Sequence, residues 1–281
     1  MSSDNLRILV IGAHPDDCEW VAGGITARYT RLGHHVKLVS LSNGDAGHLE
    51  MSGAPLARRR RDEAAAAAKA LGAESLVLDH HDGTLLPTLE LRSEVIQIIR
   101  EYKPDLVMSH RPNDYHPDHR YTGVVVQDAI NMVIVGNLVP YAPALHYIPV
   151  MVYLWDHFQK PYPFIPDILV DIDEVYEQKI DGLHCHTSQM YEFLFGKADV
   201  EPDKRREWLK KKVEADMAAP TRLYRHKLAE IFDNPRSKAP AVQRAEGKEK
   251  SAQIHYVEAF EVCEYGGKLT PEGKRRLFPF D

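Results

Sequence analysis

Short apolar runs alternate with helical-period segments through residue 109, and few architectures accept that alternation. Residues 6–11 form an apolar run closed by Gly12, which predicts a buried strand. Trp20, Val21, Ile25, Tyr29 and Leu32 then recur at helical spacing until Gly33 interrupts them. Residues 36–41 predict a second strand, followed by a polar, Gly-containing loop over 43–53. Residues 57–71, rich in Ala and Arg and closed by Gly72, predict a helix, and 76–78 a third strand. Residues 91–102 place Leu91, Val95, Ile98 and Ile99 at helical spacing, and 106–109 predict a fourth strand. Such a chain builds right-handed β-α-β units, so the expected fold is α/β with a mainly parallel, doubly wound sheet.

The second half is less regular. Strands are expected over 151–155, 167–172 and 257–262, helices over 174–194 and 202–217, and a polar mobile loop over 234–251. No linker or internal repeat divides the chain. The expectation is one domain over 1–281, with a core over about 5–190 and a C-terminal elaboration over about 191–281.

Sites in doubly wound sheets lie beyond the carboxyl ends of the strands. Each expected strand of the first half is followed by a polar cluster: His14-Pro15-Asp16-Asp17, Asn43-Gly44-Asp45, His81-Asp82, and the stretch from His110 to His119. Four clusters on one sheet edge predict an enzyme. A dinucleotide turn does not fit the first cluster. Gly12 is followed by Ala13 and His14, and Asp16 and Asp17 would repel a pyrophosphate. Gly23 and Gly24 come too late for that turn and read as a notch for close helix packing.

The first cluster has a counterpart in His116-Pro117-Asp118-His119. In both, polar residues three apart can point to one spot from a turn or a first helical turn. Two histidines and one carboxylate form an established catalytic zinc set, which leaves a position for water. His14, Asp17 and one histidine of the second motif are therefore candidate ligands, and Asp16 a candidate general base. The remaining histidine is placed to stabilise an oxyanion or to protonate a leaving amine. Asp118 reads as a carboxylate that orients His119 or its own loop. Other divalent metals suit the same donors. Two other readings stay open at this point: a metal-dependent phosphoesterase, which needs a second bridged metal, and a non-catalytic sugar-binding protein.

The paired motifs, in this order and with Gly23-Gly24 between them, resemble the LmbE-like (PIG-L) N-acetylglucosamine deacetylase family. Arg60-x-x-Glu63, Leu71-Gly72, Asp82-Gly83 and His186-Thr187-Ser188-Gln189 after Lys179 extend the resemblance over residues 6 to about 190. It implies a Rossmann-like fold and one zinc per chain, held by His14, Asp17 and His119. Asp16 would be the general base, and His116 would steady the oxyanion and assist departure of the amine. Arg60 and Asp82 would contact the sugar of an N-acetylated sugar or glycoconjugate, with acetate as product. His186 would approach the site. Where family members often carry Glu after the second Asp, this chain has Cys18, read as a packed small side chain. Asp114 and Tyr115, in a polar stretch before the second motif, would tune His116 or meet substrate, or simply set a turn.

Composition limits the partners. The chain has 281 residues, 44% of them hydrophobic and 27% charged, enough for a core without staples. A net charge of −6 predicts no nucleic-acid partner, and Arg58–Arg61 splay around a helix as a solvated face. Three scattered cysteines fit a reducing compartment, and no apolar run is long enough to span a membrane. These features predict a cytoplasmic protein. The aromatic segment Tyr153, Trp155, His157, Phe158, Tyr162 and Phe164 suits either a wall for a pyranose ring or core packing, and leaves room for homo-oligomer formation.

Overall fold

The computed structural model describes residues 5–233, 249 and 251–280. Strand β1 (Arg7–Gly12) leads to α1 (Asp17–Arg31), β2 (His35–Ser42), α2 (Gly53–Leu71), β3 (Glu74–His80), α3 (Leu89–Tyr102), β4 (Leu106–Ser109) and α4 (Pro117–Ile130). Then follow β5 (Val150–Leu154), β6 (Ile168–Asp171), α5 (Tyr176–Cys185), the short α6 (Thr187–Met190), α7 (Arg205–Met217), α8 (Ala219–Asp233), β7 (Val257–Val262) and α9 (Pro271–Leu277). The loop expected over 234–251 falls almost wholly outside the described residues.

Among the described residues, seven strands join one sheet in the order β3-β2-β1-β4-β5-β7-β6. The five from β3 to β5 run parallel, while β7 lies antiparallel between β5 and β6. Alternate residues of the central strands serve two cores. Ile8, Val10, Leu38, Leu106 and Met108 pack on one face, and Leu9, Ile11, Val39, Leu41 and Val107 on the other. That is why these strands read as unbroken apolar runs. Each such side chain contributes about 1.5–3 kcal/mol by leaving water. The chain leaves β1 for β2 and β3 on one side and returns to β4 on the other. The crevice beyond β1 and β4 is thus the topological switch point, where such sheets bind ligands.

Two expectations are corrected. The single helix over 174–194 is broken at His186, whose backbone (φ −81°, ψ 63°) leaves the helical region. The cause is Glu63, which accepts from the Ser188 amide and from the Thr187 and Ser188 hydroxyls (2.6–2.9 Å) and so starts a new turn. The other is α4, which the sequence reading did not assign. Pro117 occupies its first turn, and His116 caps it by accepting from the Asp118 amide (3.2 Å).

The Gly23-Gly24 notch is used as expected: a Cβ on Gly24 would meet the Ile172 side chain at 2.7 Å. Beside it, β7 sends the buried Glu258 carboxylate into α1, where it accepts from the Gly24 and Ile25 amides (2.8 and 2.7 Å). The buried Lys179 ammonium of α5 completes the contact at 2.7 Å. Breaking a buried pair costs more than forming it gains, because one charge is left uncompensated. Lys179→Met is therefore expected to lower stability by roughly 3–5 kcal/mol. Urea unfolding checks this, and a midpoint unchanged at constant slope contradicts it. Among the described residues, no helix is long and apolar enough to cross a membrane.

Candidate metal centre

The tight turn between β1 and α1 builds half of the site. A Cβ at Gly12 would lie 2.8 Å from Asp17 Cβ, so only glycine lets Asp17 fold back over the strand end. Asp17 Oδ2 then accepts from the Ala13 and His14 amides (2.9 and 2.8 Å). Asp16 sits at φ 146°, a conformation costing about 1–3 kcal/mol that persists only where surroundings impose it. The first turn of α4, after β4, supplies the other half.

The two halves meet. His14 Nδ1 lies 3.2 Å from His119 Nε2 and 3.4 Å from Asp17 Oδ2, and His119 Nε2 lies 3.3 Å from Asp17 Oδ1. A tetrahedral zinc with ligand bonds of 2.0–2.1 Å separates its donors by about 3.3 Å. The donor set and its spacing fit such an ion. Histidine donors that also sit within cation-binding reach include His14, His116 and His119, and His110 with Asp17 and His119.

The far nitrogen of each histidine has a carboxylate. His14 Nε2 lies 3.2 Å from Asp118 Oδ2 and 3.1 Å from Asp82 Oδ1. Asp118 is fully buried and accepts from the Gly83 and Leu85 amides (2.7 and 3.1 Å), so it orients His14 rather than His119. His119 Nδ1 faces Asp114 Oδ1 at 3.2 Å, and the same oxygen accepts from the His116 amide. Asp114 both sets the turn and holds His119, not His116. Asp45 accepts from the Asp82 amide and pairs with His81 (2.7 Å), which fixes the loop bearing Asp82.

Burial pushes the Asp16 carboxyl up, to about 6, against the pull of the Arg60 guanidinium. Burial, then the nearby His14 and His119 rings, hold His116 below the usual imidazole value. Because His116 Nδ1 accepts from the Asp118 amide, its proton rests on Nε2.

Three residues expected to contact substrate are buried among protein groups in this structure. Arg60 is only 2% exposed, and its guanidinium is turned onto Pro15 O (2.8 Å), Asp16 Oδ2 (3.3 Å) and Gly44 O (3.3 Å). It braces the turn from beneath. Asp82 faces His14. His186 is completely buried, with Nε2 3.4 Å from Glu19 Oε1. Tyr115, in contrast, is 70% exposed, with its ring 5.7 Å from those of His116 and His119 and 5.9 Å from Phe158. Of the aromatic segment, Phe158 reaches this rim. Phe164 packs inside, and it and the half-exposed Tyr162 flank Arg111, whose guanidinium bonds both Asp156 oxygens at 2.6 Å. Cys18 is buried, with Sγ toward the Val10 and Val39 carbonyls, as a packed side chain should be. His110 had no assigned role; as the first residue past β4 it stands on the site edge, and it stacks on His119 at 4.3 Å.

The family model for GlcNAc-PI de-N-acetylase, PIG-L, matches residues 9–130. A diacetylchitobiose deacetylase of Thermococcus kodakarensis is 31% identical over 205 residues, 68% of this chain and 72% of that protein. This chain belongs to the PIG-L family. Another relative, 4-oxalmesaconate hydratase of Pseudomonas putida, is 28% identical over 67% of this chain and 76% of its own length. Among solved structures, the N,N'-diacetylchitobiose deacetylase of Pyrococcus horikoshii superposes with a TM-score of 0.70, covering 93% of this chain and 85% of that one at 23% identity. The named relatives are enzymes, and this PIG-L protein is an enzyme too. Neither a phosphoesterase nor a non-catalytic sugar-binding protein finds support among them.

Proposed function

We propose that this enzyme hydrolyses the N-acetyl group of an amino sugar or its conjugate, releasing acetate and a free amine, with one zinc ion held by His14, Asp17 and His119. The observation that carries this reading is the convergence of three side chains beyond β1 and β4. His14 Nδ1 and His119 Nε2 lie 3.2 Å apart, and Asp17 approaches them at 3.4 and 3.3 Å through its Oδ2 and Oδ1 respectively, with Asp16 next to it in the chain. Zinc bound there supplies Lewis acidity, lowering the pKa of a water and polarising the amide carbonyl. Asp16 takes the proton from the attacking water. The Nε2–H of His116 donates to the oxygen on which charge develops. The proton held by Asp16 then passes to the departing nitrogen, so acid and base steps balance. Tyr115 and Phe158 offer a flat apolar rim for the face of a sugar ring.

The test is acetate release from N-acetylated mono- and disaccharides by protein stripped of metal and then reloaded with zinc. Release that depends on zinc is expected. A second reading, a hydratase, rests on the Pseudomonas putida relative. It predicts addition of water to a carbon–carbon double bond without acetate, and that outcome would replace the first.

A further inference from the structure

We propose that His110 is a positioning residue that confines Asp17 to one-oxygen coordination of the metal. The inference rests on the ligand set proposed above and deepens it. His110 is 7% exposed and lies flat against His119, with ring planes 7° apart. Its Nε2 is 3.2 Å from Asp17 Oδ2. The Ala13 amide lies nearer to that carboxylate oxygen (2.9 Å) than to the imidazole (3.3 Å), which leaves His110 Nε2 as a donor. Asp17 Oδ2 therefore receives three donors, from Ala13, His14 and His110. A carboxylate oxygen has about two lone-pair sites, so this one is saturated. Only Oδ1, 3.3 Å from His119 Nε2, keeps a lone pair for a cation.

The consequence is an open coordination position. A carboxylate free to turn can offer both oxygens and fill the place that a water and the amide carbonyl need. His110 thus grips two of the three ligands, one by a hydrogen bond and one by stacking. Partners of this kind typically contribute 10–100-fold in metal affinity or activity.

Two variants separate the hydrogen bond from the ring. His110→Phe keeps a flat ring against His119 and loses the donor; His110→Gln restores a donor at about the Nε2 position. Zinc affinity is measured on metal-free protein by competition with a chromophoric chelator, and coordination by the visible absorption of the cobalt(II) form. His110→Phe is expected to bind zinc roughly 10–100-fold more weakly. Its cobalt(II) bands should weaken as the coordination number rises, and His110→Gln should recover most of both. Wild-type affinity and an unchanged cobalt(II) spectrum in His110→Phe would overturn the proposal. So would complete zinc loss in both variants, which would make His110 a ligand, and so would wild-type protein that takes up no zinc. Failure of the deacetylase reading looks different: zinc binds and responds to His110, but no acetate appears.

Discussion

Asp16→Asn is expected to retain its metal and to release acetate 10²–10⁴-fold more slowly, roughly the contribution of a positioned general base. The substitution is close to isosteric. Asparagine accepts positive-φ backbone about as readily as aspartate, so the unusual turn at φ 146° survives. The amide oxygen can still face the Arg60 guanidinium, which lies 3.3 Å from Asp16 Oδ2. What disappears is the capacity to hold a proton in a buried setting. Single-turnover acetate release, with metal content measured on the same sample, separates the two properties. Full activity would remove Asp16 from the mechanism, and loss of metal would make it part of the coordination set.

His14→Ala should have the larger structural effect. It deletes one of the three proposed donors, and purified protein is expected to carry no stoichiometric zinc. It also removes the imidazole that Asp82 and Asp118 both face, leaving two buried carboxylates without that partner. A ligand bound only by the folded state stabilises it by about 4 kcal/mol at a thousandfold excess over its Kd. Added zinc should therefore raise the melting temperature of wild type and leave that of His14→Ala in place. An equal rise in both would contradict the ligand set.

Much of this was legible because one periodicity and one motif pair carry it. Strands buried on both faces announce themselves as apolar runs, and 106–109 coincides with β4. The two His-Pro-Asp motifs lie on the loops that follow neighbouring strands, so their convergence follows from strand order. Other features depend on distant partners. The break at His186 arises from Glu63, 125 residues before Ser188. Helix α4 was hidden because Val124, Val125 and Val126 favour strands in isolation, and burial on α3 overrides that preference. The burial of Arg60 was not legible either, because a helix residue's burial depends on what covers it, and here the loop bearing Gly44 does. His110 lies in the polar stretch before the second motif. Its position one residue past a strand, on the edge that carries His14, was the signal available.

The insertion of β7 between β5 and β6 ties α1 to a strand more than 200 residues further along the polypeptide. Glu258 contacts amides 234 and 233 residues earlier, in the helix whose first residue is Asp17. During synthesis the turn bearing Asp16 and Asp17 is therefore made long before the strand that anchors the helix after it. Contacts so far apart in sequence slow folding. A ribosome-bound chain lacking β7 has β5 and β6 without their shared neighbour, and apolar edges of that kind invite aggregation. Such a nascent chain depends on prompt completion, and C-terminal truncations ahead of Val257 should accumulate as insoluble material rather than as a smaller working enzyme.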